Sequence, residues 1–506
     1  MLLAELVACS ERVASSRSRL AKVAAIAGLL EAAPVKERGM AVAYLSGRFL
    51  QGRIGVGWGA LRQLPRPAAA PSLTLAEFDS CLERLEAVSG PGSTEGRREL
   101  LADLWGRATG PEQSFLARLL GGELRQGAQA GVMLEAVALA AGVEGAQLRR
   151  AAMLAGDLLP AATAALATGA AGLASFMLQP GRPVLPMLAQ SAANLEAGLE
   201  RLGPAALEWK LDGVRIQVHR WEDHVDVYTR TLERITERLP EVAQAARRLN
   251  AERVILDGEV LAVGNDGRPR PFQETAARVA SQLHLDSGVE ATPLSAFFFD
   301  ILYLGDEPLI DRPLRERIRF LEQLLPAGAG VPRLLEPSPE QAQRFLAEAL
   351  ARGHEGVMLK ALDSPYLAGR RGRGWTKVKP RQTLDLVVLA AEWGHGRRTG
   401  WLSNLHLGAL GPDGQFVMLG KTFKGLTDQT LAWQTQALLA LEVDRSGITV
   451  TVRPELVVEI AFDGLQTSRR YPGGLALRFA RVVRYRPDKR AQEADTIDRV
   501  RSLQRG

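Results

Sequence analysis

Prolines are concentrated between residues 180 and 186, and they divide the chain into two parts with different residue patterns. The segment reads Pro180-Gly-Arg-Pro-Val-Leu-Pro186. Prolines at this density favour extended backbone, so the segment is predicted to be a linker. Before it, apolar residues recur at helical spacing, and after it short runs of β-branched and aromatic residues dominate. The chain is therefore expected to fold into domains of different class.

Residues 1–178 are predicted to form an all-α domain. Helical spacing is clear in Ala21–Ala33, Leu75–Val88 and Glu112–Leu124, with few β-branched runs. The uncharged stretch from Leu158 to Leu178 has the length of a membrane span, but its Ala, Gly, Thr and Pro content favours a packed helix followed by linker. With no secretory signal at the start, we expect a cytoplasmic protein without a membrane segment.

Two further domains are expected after the linker. Residues 181–383 alternate strand-like and helix-like runs, which is typical of an α+β domain. Residues 384–506 contain short strand-like runs separated by turns, which favours a small β-barrel or sandwich. The strand predictions are Val214–Trp221, Val225–Thr229, Val254–Val263, Leu294–Tyr303, Gly356–Lys360, Leu384–Ala390, Leu405–Leu410, Phe416–Leu419, Ile448–Val452, Leu456–Phe462 and Phe479–Arg486. Helices are predicted at Glu241–Leu249, Leu314–Leu325 and Pro339–Arg352.

Composition excludes several classes of protein. A chain of 506 residues that is 46% hydrophobic can build two to four packed domains and is not a disordered chain. Two cysteines exclude a Cys₄ zinc site and a disulfide framework. The net charge is +6, and the segment from Arg381 onward contributes +5 of it, which points to an anionic partner of the C-terminal domain.

Lysine is scarce, and its distribution is informative. Only nine of the 63 basic residues are lysines, so arginine serves wherever a generic positive charge is sufficient. Arginine cannot act as a nucleophile because its guanidinium stays protonated. Five of the nine lysines fall in a few short segments that carry the chain's chemistry: Lys210, Lys360, Lys377, Lys379 and Lys489.

The first of these segments, Glu208-Trp-Lys-Leu-Asp-Gly-Val-Arg215, holds a lysine beside a flexible glycine. A lysine acts covalently when burial or neighbouring cations lower its pKa. An ordinary ion pair at a strand end is the competing interpretation. The other segments are Val254–Val260, Leu294–Tyr303, Glu355–Lys360, Gly369–Lys379 and Arg478–Arg490. In the fifth, a glycine-rich loop is expected to precede Lys377 and Lys379, which alternation places on one strand face.

In this order, the six segments resemble the motifs of the nucleotidyltransferase superfamily of ATP-dependent DNA ligases, RNA ligases and capping enzymes. The resemblance extends from Glu208 to Lys489. With its helical front domain, the chain is similar to the larger ATP-dependent DNA ligases. That resemblance implies a helical DNA-binding domain at 1–178, an α+β adenylation domain at 181–383 and a β-barrel OB-fold domain at 384–506.

The resemblance implies a role for each matching residue. Lys210 would attack the α-phosphorus of ATP and become adenylated. Glu208 would contact the adenine amino edge, and Phe299 would stack on the base. The residues implied for ribose and phosphate are Arg215, Arg230 and Glu259, and those for the triphosphate and the nick phosphate are Arg371, Lys377 and Lys379.

Further residues are implied for the metal ion and for pyrophosphate. Glu259 and Glu355 would lie near Mg²⁺ or Mn²⁺, and Asp212 and Lys360 belong to the same motifs. The C-terminal strand would orient the leaving pyrophosphate through Arg478, Arg481, Arg484, Arg486, Asp488 and Lys489. Cations around Lys210 are expected to lower its pKa.

The expected function is the sealing of nicked duplex DNA with ATP by a nucleoid-associated monomer, and no partner protein is predicted. Two alternatives share part of the pattern. An RNA ligase or capping enzyme would have the Lys-x-Asp-Gly core but does not account for the long helical front domain. A catalytically inactive nucleic-acid-binding protein would not need Lys210, Glu259, Lys377 and Lys379 together. An NAD⁺-dependent ligase is disfavoured because it requires four zinc-binding cysteines.

Overall fold

The computed structural model describes residues 1–52, 54, 65–124, 126–128, 130–281, 292–368, 371–379 and 382–504. Helices dominate up to Leu173, two five-stranded sheets follow, and a seven-stranded sheet with a two-stranded ribbon occupies the C-terminal region.

Ten helices make up the described part of the N-terminal region and share one apolar core that includes Tyr44, Trp105 and Phe115. A capping box starts α4, in which Thr74 and Glu77 each accept a hydrogen bond from the other's backbone N–H. The helices are α1 Leu3–Ser15, α2 Arg19–Ala32, α3 Arg38–Leu45, α4 Leu75–Ala87, α5 Ser93–Arg107, α6 Gly110–Leu120, α7 Ala130–Ala141, α8 Gly145–Ala155, α9 Leu158–Thr168 and α10 Ala170–Leu173.

The first sheet of the middle region has the strand order β1-β10-β9-β2-β8. Its strands are β1 Leu188–Ser191, β2 Ala205–Trp209, β8 Arg333–Leu335, β9 Val357–Ala361 and β10 Arg371–Val378. β1 and β10 are parallel, and the other neighbours are antiparallel. Helices α11 Leu195–Leu202 and α15 Pro339–Ala351 pack against this sheet.

The second sheet has the order β4-β3-β5-β6-β7 and is antiparallel throughout. Alternation along β6 sends Phe298 into the core beneath the helices and Phe299 to the opposite side. The strands are β3 Val214–Trp221, β4 His224–Thr229, β5 Arg253–Ala262, β6 Leu294–Leu304 and β7 Glu307–Pro308, and the helices are α12 Pro240–Arg247, α13 Phe272–Ala280 and α14 Leu314–Leu324.

The C-terminal sheet is organised around β11, which begins at Gln382. Its first half pairs with β16 and its second half with β15, while β12 runs along its other edge. The elements are β11 Gln382–Trp393, β12 Leu402–Leu410, β13 Phe416–Thr422, α16 Asp428–Ala440, β14 Glu442–Ser446, β15 Thr449–Val452, β16 Val457–Phe462, β17 Gly464–Thr467, β18 Leu475–Arg478, β19 Arg481–Tyr485 and α17 Ile497–Gln504.

The helical region is joined to the middle region by shared packing. Met153 and Leu154 of α8 belong to the same apolar cluster as Ile255, Phe299 and Tyr366. The Met153 backbone carbonyl also accepts a hydrogen bond from the Leu185 N–H at 3.0 Å. The end of α8 is therefore part of the packing behind the second sheet.

The uncharged stretch after Leu158 folds as two short helices, α9 and α10. Within the described ranges, no single helix combines the length and the apolar character needed to cross a membrane; α7 and α8, bent by 119°, meet the length and composition test only as a pair.

Candidate active site

A cavity of about 580 Å³ lies between the two sheets of the middle region and is closed on one side by the C-terminal region. Both sheets contribute lining residues, as does the turn after β18. Twelve of the residues implied by the sequence line it: Glu208, Lys210, Asp212, Arg215, Arg230, Glu259, Phe299, Glu355, Lys360, Lys377, Lys379 and Arg478.

Lys210 follows β2 directly and is held to the segment that carries Glu355. Its backbone N–H donates to the Gly356 carbonyl at 2.8 Å, and the Glu355 N–H donates to the Lys210 carbonyl at 3.1 Å. The ammonium groups of Lys210 and Lys379 both donate hydrogen bonds to the Glu355 carboxylate. Two backbone contacts therefore hold Lys210 next to Glu355, and Lys379 joins them through its side chain.

The sequence-based expectation that cations lower the pKa of Lys210 is wrong for this arrangement. Burial acts to lower the pKa of Lys210, but the charges of Glu355 and Glu259 outweigh it and raise the pKa above its ordinary value. The reason is that the principal charges acting on the amine are carboxylates. Lys377 does have a lowered pKa, first because of burial and then because of Lys379 and Lys210.

Arg215 is fixed by a hydrogen-bond network on β3 and β5. Its guanidinium contacts both carboxylate oxygens of Asp257, at 3.0 and 2.6 Å, and donates to the Met187 carbonyl at 2.7 Å. The Tyr366 hydroxyl donates to Asp257 at 2.7 Å. Sequence reasoning missed Asp257 and Tyr366 as site residues. Asp257 lies within Val254–Val260, one of the six motif segments, whereas no local sequence pattern marks Tyr366.

Glu208 lines the cavity together with Phe299 and Lys360. Lys360 is buried, pairs with the Glu208 carboxylate at 2.5 Å, and has its Nζ 4.3 Å from the ring centroids of both Phe299 and Trp375. Burial lowers the pKa of Lys360. A second cation, Arg333, contacts Glu208 at 2.6 Å and was not anticipated.

The remaining cations border the cavity where phosphates are expected. Arg230 is exposed in the turn after β4, and Arg478 reaches in from the C-terminal region, 3.5 Å from Asp212. The Arg371 side chain is outside the described residues. Its backbone begins β10, so the described part of the predicted glycine-rich loop, from Arg371 onward, is in fact strand, and Gly372 and Gly374 adopt extended backbone in it.

The segment from Arg478 to Lys489 is not one continuous strand. Phe479 has a left-handed backbone (φ 54°) between β18 and β19, which turns the chain after Arg478. Arg481 borders a second cavity, of about 430 Å³, that shares Lys377 and Lys379 with the first.

The other four implied C-terminal residues line neither of these two cavities. Arg484 pairs with Glu459 at 2.7 Å, whereas Arg486 and Lys489 both pair with Asp385, at 2.9 and 2.6 Å. Asp488 pairs with Arg486 at 2.7 Å. Their implied contact with pyrophosphate stays a prediction, since in this arrangement they form ion pairs within the C-terminal region.

The carboxylates at the site suit a magnesium ion held jointly with phosphates. Glu259 accepts a hydrogen bond from the Gly213 N–H at 3.0 Å and acts electrostatically on Lys210, as Glu355 does. Among the residues that the structure describes, no group of three His, Cys, Asp or Glu side chains could hold a metal. Mg²⁺ commonly uses one or two carboxylates and completes its shell with phosphate and water, so this donor set fits it.

Three family models match the chain in the order of its regions. The model described as "DNA ligase N terminus" matches residues 59–138, "ATP dependent DNA ligase domain" matches residues 186–379, and "ATP dependent DNA ligase C terminal region" matches residues 398–489. The second match contains most of the cavity residues.

Curated proteins and solved structures agree with these matches. A protein of Saccharopolyspora erythraea described as "Probable DNA ligase" is 54% identical over 505 residues, which cover 99% of this chain and 98% of the relative. Another with that description, from Anaeromyxobacter sp. strain K, is 55% identical over the full length of both chains. The solved structure "Pmar-Lig_Pre." shares the fold, with a TM-score of 0.64 at 17% identity over 95% of this chain and 99% of that one. Because the two relatives described as probable DNA ligases are 54% and 55% identical to it over nearly its whole length, the chain belongs to the ATP-dependent DNA ligase family.

Proposed function

We propose that this protein seals nicks between a 5′-phosphate and a 3′-hydroxyl in duplex DNA, through an AMP bound covalently to Lys210. The observation that carries the assignment is the position of the Lys210 amine, which lies in the cavity between carboxylates and a row of cations. A lysine that lines a cavity rich in Lys and Arg can reach the α-phosphorus of a bound triphosphate. An inactive binding protein has no use for that arrangement.

The reaction divides into three transfers. In the first, Lys210 Nζ loses a proton and attacks the α-phosphorus of ATP, so that a P–N bond forms and pyrophosphate leaves. In the second, an oxygen of the 5′-phosphate attacks the same phosphorus, the P–N bond breaks, and the amine regains a proton. In the third, the 3′-hydroxyl loses its proton and its oxygen attacks the 5′-phosphorus, so that a P–O bond forms, the P–O bond to AMP breaks, and AMP leaves. Each transfer depends on in-line positioning and on neutralisation of the phosphate oxygens.

The lining residues divide by chemistry along the cavity. Glu208 and Phe299 are assigned to the adenine base, and Arg215, Arg230 and Glu259 to ribose and phosphate. Arg371, Lys377, Lys379 and Arg478 are assigned to the triphosphate and, after adenylation, to the nick. Glu259 and Glu355 would hold Mg²⁺, which supplies positive charge at the oxygens of the α-phosphate and pyrophosphate.

The flanking regions are assigned to DNA binding. We assign residues 1–178 as an all-α DNA-binding domain and residues 384–506 as an OB-fold domain. Together with the adenylation domain, they would enclose the duplex. The protein would act as a monomer on nucleoid DNA in the cytoplasm. The split pairing of β11 with β15 and β16 supports the barrel assignment. Most of the affinity should come from phosphate contacts and should fall steeply with salt.

A sealing assay with matched substrates tests this function. The protein is incubated with Mg²⁺, either ATP or NAD⁺, and a labelled duplex whose nick is flanked by DNA on both sides or by RNA on one side. Sealing of the DNA nick with ATP is expected. A second DNA nick that already carries AMP on its 5′-phosphate should be sealed without ATP. Sealing that requires NAD⁺, or that proceeds only on RNA ends, would overturn the proposal in favour of a different ligase class.

A further inference from the structure

Arg333 on β8 lies directly opposite Glu208 on β2 in the antiparallel register of the first sheet. Its Nε and Nη2 lie 2.7 and 2.6 Å from the same oxygen, Oε1, of the Glu208 carboxylate. The side chains are 7% and 2% exposed. The pair is therefore a buried, charge-assisted contact that is fixed by strand pairing.

Lys360 holds the other oxygen of Glu208. Its Nζ lies 2.5 Å from Oε2, and both Lys360 and Arg333 donate to the backbone carbonyl of Phe299, each at 3.3 Å. Glu208 and the aromatic ring assigned to the base are thus tied together by the same two cations. Glu208, Phe299 and Lys360 line the cavity, whereas Arg333 does not.

The described contacts leave acceptor capacity on Oε2. A carboxylate has about four lone-pair sites. Among the described residues, Arg333 contacts only Oε1, with Nε as the hydrogen-bond donor, and Lys360 contacts only Oε2, through Nζ. A carboxylate is a hydrogen-bond acceptor only. It can accept a hydrogen bond from the 6-amino group of a purine, but it repels the 6-oxo group, which is itself an acceptor.

We infer that Arg333 is a positioning residue that determines selectivity for a 6-amino purine nucleotide. By holding Oε1, it orients the free acceptor site of Oε2 toward the cavity. Without it, Glu208 would keep only Lys360 and could rotate, so that its free oxygen would no longer be held where it separates a 6-amino group from a 6-oxo group. This inference rests on the proposed roles of Lys210 and Glu208 and extends them to a residue outside the cavity.

Self-adenylation with two nucleotides tests the inference. Initial rates of covalent labelling of the full-length protein are measured with ATP and with inosine triphosphate, which carries a 6-oxo group in place of the amino group. Replacing Arg333 with methionine (Arg333→Met) is expected to raise KM for ATP about tenfold, the effect of one displaced charge-assisted hydrogen bond, with little change in kcat. The preference for ATP over inosine triphosphate should fall by a similar factor. Arg333→Lys should recover part of the preference.

Two further variants make the outcomes distinct. Arg253→Met removes an exposed arginine that pairs with Asp306 in the same region and should leave both rates unchanged. Glu208→Gln should lose the preference for ATP, and if it does not, the proposed contact of Glu208 with adenine is wrong. If Glu208→Gln loses the preference for ATP but Arg333→Met keeps it, the inference about Arg333 is overturned. It is also overturned if Arg333→Met slows labelling with ATP and with inosine triphosphate by the same factor. Should Arg333→Met prove unfolded in a thermal melt, Arg333→Lys decides, and an unchanged preference there overturns the inference.

Discussion

The ammonium group of Lys210 donates a hydrogen bond to the carboxylate of Glu355, and the Glu355 backbone N–H donates to the Lys210 carbonyl. The amine is therefore held in its protonated form by the carboxylate closest to it. Adenylation requires the free amine, so the Lys210 ammonium must lose a proton before attack, and its contact with Glu355 opposes that loss. A cation bound by Glu355 together with the triphosphate would weaken this contact.

Replacing Glu355 with glutamine should lower the pKa of Lys210. Glu355 is the largest of the charges that raise that pKa, and without it burial, which lowers the pKa, is opposed by the smaller contributions of Glu259 and Asp212. The measurement is the rate of carbamylation of Lys210 by cyanate as a function of pH, read by mass spectrometry without ATP or metal. Because only the neutral amine reacts, the midpoint of the profile should move to lower pH. Glu348→Gln, which removes an exposed partner of Arg352, is the control, and identical midpoints in all three proteins would refute the expectation.

Replacing Arg478 with alanine should slow self-adenylation about tenfold, because the variant lacks one charged contact at the cavity. Arg484→Ala and Lys489→Ala should also slow self-adenylation more than the sealing of a nick that already carries AMP. These two residues pair with Glu459 and Asp385, so they can act only if the C-terminal region reorients during the first step. Arg445→Ala, on an exposed ion pair of the same region, serves as the control. Equal slowing of both steps would contradict a role confined to adenylation.

Gly156 is expected to tolerate alanine poorly. It ends α8 with a φ of 74°, and an added Cβ would lie 2.9 Å from Leu232 Cδ1 and 3.0 Å from the Pro183 carbonyl oxygen. Gly156→Ala should lower the free energy of unfolding by about 2 kcal/mol through backbone strain and crowding. Gly142 has φ 61° but open space around it, so Gly142→Ala should cost about 1 kcal/mol. Equal losses in urea unfolding would show that the contact with Leu232 is unimportant.

Stability should fall below neutral pH because of His219. The ring is buried; its Nδ1 accepts from the Gly181 N–H at 3.1 Å, so Nε2 carries the proton and donates to Gln217 at 2.8 Å. Burial lowers its pKa to about 3, whereas the unfolded chain takes up a proton near pH 6.5. Between these values the unfolded state binds one more proton, so unfolding becomes easier by up to about 1.4 kcal/mol per pH unit as pH falls. His219→Gln should remove that part of the slope, and parallel stability curves for the two proteins would contradict it.

Local patterns predicted the regular elements well where burial follows a simple period. The strand Val214–Trp221 occurs as predicted, and Leu314–Leu324 ends one residue early. Helix α16 was missed because it lies among strands, although Thr427 at its start is a good cap. The parallel pairing of β1 with β10 depends on segments far apart in the chain, which no local pattern reveals.

The site was predictable in its motifs but not in its supporting contacts. Four of the nine lysines line the cavity, as their clustering suggested, whereas Lys489 does not. Arg333 was missed because strand register brings it next to Glu208. Tyr366 was missed because it contacts Asp257 from a distant part of the chain. The Lys210 pKa was predicted to shift in the wrong direction because sequence order does not show that a carboxylate, Glu355, contacts the amine.

Covalent labelling of Lys210 tests the central claim most directly. The protein is incubated with ATP labelled at the α-phosphate and Mg²⁺, digested, and the adenylated peptide is identified by mass spectrometry. One AMP is expected on Lys210, held by a P–N bond that survives alkali and is lost in acid, with no label on the Lys210→Ala variant and continued labelling of a Lys424→Ala control. An AMP on another residue, or undiminished labelling of Lys210→Ala, would contradict it.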